Sequence, residues 1–290
     1  MGAKPALIPF IFLNFFVVTA QSIDSVLVEE FSVGSFQHAI RVAVGKEGQL
    51  YVLDADQHTV NIFSDFQKPP KIIGGFGWAS GSFDRPSGVA TDGIHTFIAD
   101  YGNHRIQRFD RNLNFISSFS TRDTSDLQVK FGYPLDIAIS DFGDLFVLDG
   151  ENQRVLKFNP SFLFERVFGD INSGEGRLHD PIKISITNSR LFVCEKDRLV
   201  VFDYFGNYLG TLGNGVLTEV CGFTLLPHGV IVASHTTLWR FSESGMLEFS
   251  VPLNHLICSK KIEQIQDVAY RENRLFVLSL NSLFVFPISK

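Results

Sequence analysis

The side chains able to do chemistry fall into a few groups. Asp54, Asp100 and Asp149 recur before similar turns, and repeated carboxylates would suit general acid–base work. Histidines at 38, 58, 95, 104, 179, 228, 235 and 255 are potential zinc ligands. The Gly-rich stretches 74–81 and 169–176 raise phosphate binding, and Asp170-Ile-Asn172-Ser-Gly174 raises calcium. Arg41, Asp136, Lys183 and Asp267 would put two cations and two anions in one place, but only if the fold brings them together.

The elements that must position these groups come from one repeat. Phe97-Ile-Ala-Asp100 leads through a polar turn to Ile106–Phe109. The unit recurs as Tyr51–Asp54 to Val60–Phe63 and as Phe146–Asp149 to Val155–Phe158. It continues with a turn two residues shorter at Phe192–Glu195, Ile231–Ser234 and Phe276–Ser279. Alternating apolar residues around a polar turn read as a β-hairpin. The anchors at 54, 100, 149, 195, 234 and 279 step by 39 to 49 residues, the spacing of solenoids and propellers.

Each hairpin also has a short apolar strand before it, such as Val42–Val44 or Ile137–Ile139, and a strand after it. The trailing strands carry large apolar residues four apart: Ile72/Phe76, Phe115/Phe119, Phe164/Phe168, Tyr208/Leu212 and Leu247/Val251. The sixth unit lacks a trailing strand, and Leu27–Phe31 repeats the same spacing at the other end. Residues 26–32 are therefore expected to complete the last unit and close a ring. The fold class is all-β: a six-bladed β-propeller over residues 21–290, with four strands per blade. Phe63, Phe109, Phe158, Phe202, Phe241 and Phe286 should be equivalent buried positions.

Residues 1–20 read as a secretory signal peptide. Lys4 is their only charge, an apolar run follows, and Val18-Thr-Ala20 offers small residues before Gln21. An uncleaved anchor is the weaker reading, because Ala6–Ala20 falls short of the roughly 20 residues that span a bilayer. The mature chain is expected to be secreted or periplasmic, monomeric and not inserted in a membrane. It retains 24 basic and 31 acidic side chains, a net charge of −7, which argues against nucleic acid as a partner. Three cysteines cannot form a disulfide scaffold. Cys194 sits where a small core residue belongs, and a Cys221–Cys258 bridge stays open.

Placed on this scaffold, the candidate sites separate. The three aspartates stand at strand-to-turn junctions, where a carboxylate caps backbone N–H groups, and copies spread around a ring do not converge on one substrate. His104, Arg105, Gln153 and Arg154 belong to the same turns and read as scaffold bridging neighbouring blades or facing water. The Gly-rich stretches precede strands rather than helices and read as flexible connectors. The calcium-like stretch lacks the third ligand and bidentate Glu of an EF-hand loop.

Pro86-Ser-Gly-Val-Ala90, Phe97–Asp100, Asn103-His-Arg-Ile106 and Phe109 together resemble an NHL repeat, and the connectors 76–86 and 168–181 are similar to those between such repeats. The resemblance is strongest in the first three units and identifies the chain with six-bladed NHL propellers, here as an exported protein of bacterial type. It also implies a comparison, because the NHL-like amidating lyase holds zinc with histidines near the propeller axis. By register, the axial positions here are Arg41, Ser87/Gly88, Asp136, Lys183, Gly222 and Asp267, and none is His. No metal or other cofactor is expected. Arg41, Asp136, Lys183 and Asp267 should surround one mouth of the central channel. They are either a structural set of ion pairs or a polar ligand pocket. The function expected is non-catalytic binding of a protein, peptide or glycan; the alternative is a metal-dependent propeller enzyme of the lyase or lactonase type.

Overall fold

The computed structural model describes residues 26–187 and 189–288. The expected leader over 1–20 lies outside them. Six four-stranded antiparallel sheets stand around one axis, and no α-helix occurs among the described residues. Blade 1 runs Ala39–Val44, Leu50–Asp54, Thr59–Phe63 and Lys71–Gly74 from axis to rim. Blades 2 to 5 repeat this order, with inner strands Pro86–Thr91, Pro134–Ile139, Lys183–Ile186 and Val220–Leu226. In blade 6 the inner strand is Asp267–Arg271, and Phe31–Val33 supplies the rim strand by pairing with Leu283–Val285.

The ring thus closes through the N-terminal segment, but over a shorter span than 26–32. Leu27 and Val28 leave the blade and pair in parallel with Leu256 and Ile257 of the connector between blades 5 and 6. A second register correction falls in blade 1. Ile73, opposite Val60, takes the place filled by Phe168 opposite Val155. Ile72 and Phe76 stay exposed. The period-four reading failed there because the outer strand ends at Gly74, which leaves Phe76 beyond it in the connector, while Phe83 packs beside Phe109 at 6.0 Å between ring centroids.

The core lies between blades. Phe63, Phe109, Phe158, Phe202, Phe241 and Phe286 are all buried, as their equivalence requires. Removing a Phe side chain from water contributes roughly 1.5–3 kcal/mol, so these layers weld each blade to the next. All three thiols are free. Cys194 is fully buried, which pushes its pKa up, and Cys221 donates to the Ala233 and Ile265 carbonyls at 3.3 and 3.4 Å.

Candidate functional site

The six axial positions share one register. Arg41, Gly88, Asp136, Lys183, Gly222 and Asp267 pair with Leu53, Ala99, Leu148, Cys194, Ala233 and Leu278, each the residue before a turn anchor. In blades 1, 2, 3 and 5 a bulge directly precedes the axial residue and bends its strand toward the axis. The order around the ring is cation, Gly, Asp, cation, Gly, Asp. Each glycine makes room for the next blade's carboxylate. A Cβ on Gly88 would lie 2.3 Å from Asp136 Oδ1, and one on Gly222 would lie 2.0 Å from Asp267 Oδ1.

All four charged residues come together, and all are buried. Asp267 accepts both the Lys183 ammonium, at 2.7 and 2.9 Å, and the Val42 N–H at 3.0 Å. Lys183 also donates to the Val268 carbonyl at 3.3 Å. Arg41 crosses the axis to blade 4, donating from Nη2 to the Ile182 carbonyl at 2.9 Å and from Nε to Ser87 O at 3.3 Å. Its Nη1 has no hydrogen-bond partner and lies 3.8 Å from Asp267 Oδ2. Among the described residues Asp136 accepts only the Ile137 and Ile184 N–H groups, at 2.9 and 3.0 Å.

Burial pushes the Asp136 carboxyl above its usual range, against the pull of Arg41, the Ile184 N–H and Lys183. Burial also opposes the charge on Arg41, but the fields of Asp136 and then Asp267 outweigh it and hold the guanidinium above its ordinary value.

Arg41, Asp136 and Lys183 line the inner end of an axial cavity of about 370 Å³, within the size range of small-molecule sites. Its wall is a layer of small residues, one per blade: Ala43, Ala90, Ala138, Ser185, Thr224 and Ala269. It extends toward the face where inner strands turn into second strands, lined there by Val44, Lys46, Thr91 and Tyr270. There Lys46 of blade 1 reaches Asp141 of blade 3 at 2.6 Å.

The axial donor set does not fit the histidine-held zinc that the resemblance implies. Two of its four polar side chains are cations, which repel a metal ion. Among the described residues no three His, Cys, Asp or Glu side chains gather into a metal-binding group.

The other candidates are structural. Asp100 accepts Asp84 N, Asn103 Nδ2, Arg105 Nε and Gln107 Nε2 at 2.8–3.0 Å. Asp149 repeats this with Gly132 N, Glu151 N, Asn152 and Arg154. Asp54 holds the N–H groups of Gln37, His38 and Gln57. The Asp170 carboxylate is taken up by Asn172 and Ser173 of its own turn.

The connector before blade 2 is pinned rather than loose. Arg105 Nη1 donates to Trp78 O and Asn103 to Gly77 O, both at 2.9 Å. That leaves Phe76 and Trp78 68% and 67% exposed on a fixed backbone. Beside them, Arg85 lies over the Tyr101 ring at 5.1 Å, and Tyr101 packs on Tyr133 at 5.1 Å. Reading these loops by their glycines alone passed over this aromatic surface. The alternation Gly75-Phe-Gly-Trp78, which spaces large rings with residues that cannot bury them, was the available signal.

A six-bladed ring of four-stranded sheets, each carrying an equivalent turn anchored by Asp, Glu or Ser, defines a repeat propeller. Residues 131–158, the end of a connector and the first three strands of blade 3, match the NHL repeat. The chain is 33% identical over 147 residues to "Protein brain tumor" of Drosophila melanogaster, covering 49% of this chain and 14% of that one. It is 28% identical over 142 residues to a probable peptidyl-alpha-hydroxyglycine alpha-amidating lyase of Caenorhabditis elegans, covering 46% of this chain and 40% of that one. It therefore spans less than half the length of these curated relatives. Among solved structures, virginiamycin B lyase from Staphylococcus aureus superposes with a TM-score of 0.61 at 12% identity, over 87% of this chain and 80% of that one. That likeness is one of fold. The chain is thus a six-bladed β-propeller that carries an NHL repeat in its third blade.

Proposed function

We propose that the protein is an exported, non-catalytic propeller that binds a protein, peptide or glycan through its connector face. The observation that carries this reading is the aromatic surface of Phe76, Trp78 and Tyr133, flanked by half-buried Tyr101, with the Gly77–Trp78 backbone fixed by Asn103 and Arg105. Rigid aromatic anchors suit binding, because little conformational freedom is lost when a partner covers them. Export rests on the apolar leader ending at Ala20. The purified protein should select ligands from paired peptide and glycan arrays. Trp78→Ala should weaken the best of them roughly tenfold or more with unchanged thermal stability. Undiminished binding by that variant would remove this surface from the function.

A metal-dependent enzyme is the second reading, favoured by the similarity to an amidating lyase. Elemental analysis separates the two. Stoichiometric zinc or calcium, together with cleavage of a peptidyl-α-hydroxyglycine, would replace binding with catalysis.

A further inference from the structure

We propose that the axial cavity is a second site, which binds a free amino acid as its zwitterion, with the ammonium group on Asp136 and the carboxylate on Arg41 Nη1. The argument begins with a broken symmetry. Gly88–Asp136–Lys183 and Gly222–Asp267–Arg41 are equivalent triplets three blades apart. In a symmetric ring each carboxylate would pair with the cation that follows it. Here both cations lean on Asp267. Lys183 engages its three donors on Asp267 and Val268, and Arg41 Nη1 also approaches Asp267. Asp136 is left with two backbone N–H groups and, among the described residues, no cationic nitrogen within 4.0 Å.

Two complementary vacancies therefore share one cavity. Arg41 Nη1 is a buried donor without a hydrogen-bond acceptor, and Asp136 is a buried carboxylate that feels Arg41 and Lys183 only at a distance, with neither in direct contact. Buried charged groups that lack direct hydrogen-bonded partners are costly, so a ligand gains most by contacting both at once. A lone amine would fill Asp136 and leave Arg41 as it is, whereas a lone carboxylate would do the reverse. A zwitterion answers both and leaves the net charge of the axis unchanged. Beyond the charged end, Ala43, Ala90, Ala138 and Ala269 and the rim residues Ile139 and Ile186 offer a narrow, largely apolar sleeve. That sleeve fits an uncharged aliphatic side chain. Lys46, the cation that lines the cavity beyond this charged end, is already paired with Asp141. This site is separate from the connector face, so either reading stands if the other fails.

Isothermal titration of the full exported chain with leucine, leucinamide and N-acetylleucine tests the proposal. Leucine should bind saturably, one per chain, and each single-charge analogue roughly tenfold or more weakly. Asp136→Asn and Arg41→Gln should each weaken leucine to a similar degree. Because either change can disturb folding, Ser185→Leu provides the independent variant. It narrows the sleeve without touching a charge and should abolish binding while the circular dichroism spectrum is kept. Absence of saturable binding by leucine and by other uncharged amino acids would overturn the proposal. So would equal affinity for the amide or acetylated form, or leucine binding that survives Ser185→Leu.

Discussion

Blades 2 and 3 close their central turn on a buried carboxylate, and blades 5 and 6 close the same turn on a serine. Asp100 and Asp149 are fully buried and accept four hydrogen bonds each, from backbone and side chains. Ser234 accepts from the Thr236 and Thr237 N–H groups, and Ser279 from the Ser282 N–H. A buried carboxylate must be surrounded by donors; Asn and Arg side chains supply part of them in blades 2 and 3, whereas Asp54 of blade 1 is held, among the described residues, by backbone N–H groups alone. A hydroxyl needs only one or two backbone N–H groups and leaves the turn sequence free. Blade 4 is intermediate, with Glu195 held by Arg198 at 2.6 Å and by the His179 N–H.

The comparison can be broken most severely at the seam, where Phe31–Val33 joins the serine-turn half to blade 1. Deleting residues 26–33 should expose the edge of Leu283–Val285 and abolish cooperative folding or cause aggregation. Size exclusion and thermal melting check this. A chain starting at Gly34 that melts like the full protein would show that closure contributes nothing.

If the halves differ only in their turns, their cores should respond alike. Phe109→Ala and Phe241→Ala remove equivalent rings, each 2% exposed, and should each cost about 3–5 kcal/mol in urea unfolding. A loss below about 1 kcal/mol at either would break the equivalence. The turns themselves should then diverge. Asp149→Ala strands the Arg154 guanidinium and should cost about 3–5 kcal/mol, as for breaking a buried ion pair. Ser234→Ala removes a hydroxyl acceptor and should cost about 1 kcal/mol. Equal losses would refute the account of why the two halves differ.

The same contrast explains what was legible in the sequence. The repeat is plain where a buried Asp anchors the turn, and it fades where a serine takes its place, although the blades themselves are equally regular. The axial positions could be counted by register, since each stands one residue across from an anchor. Their pairing could not. Arg41 and Lys183 have side chains long enough to cross the axis, so their partners depend on the competition at Asp267 rather than on chain spacing. The shortened closing strand was hidden for a similar reason. Leu27 and Phe31 have the right spacing for one strand, but Leu256 and Ile257 of a distant connector take Leu27 and Val28 away.

The smallest expected effect separates blade 2 from blade 3. His104 and Gln153 stand at the same turn position with left-handed backbones, φ 53° and 51°. Each accepts an N–H from the next connector: His104 Nδ1 from Tyr133 and Gln153 Oε1 from Asp180, both at 3.2 Å. The amide keeps its acceptor at every pH, but the imidazole loses Nδ1 as an acceptor when protonated. Burial, with the nearby Arg122, holds the His104 pKa below its ordinary value. The unfolded chain therefore binds the proton more readily than the folded one, and stability must fall as pH drops through 6.5 toward the lower folded pKa. His104→Gln should remove this component, about 0.5–1 kcal/mol for one hydrogen bond, and flatten the decline in urea midpoint between pH 8 and pH 5. Gln153→His should steepen it. Identical pH profiles for wild type and His104→Gln would show that the His104–Tyr133 contact does not join these blades in solution.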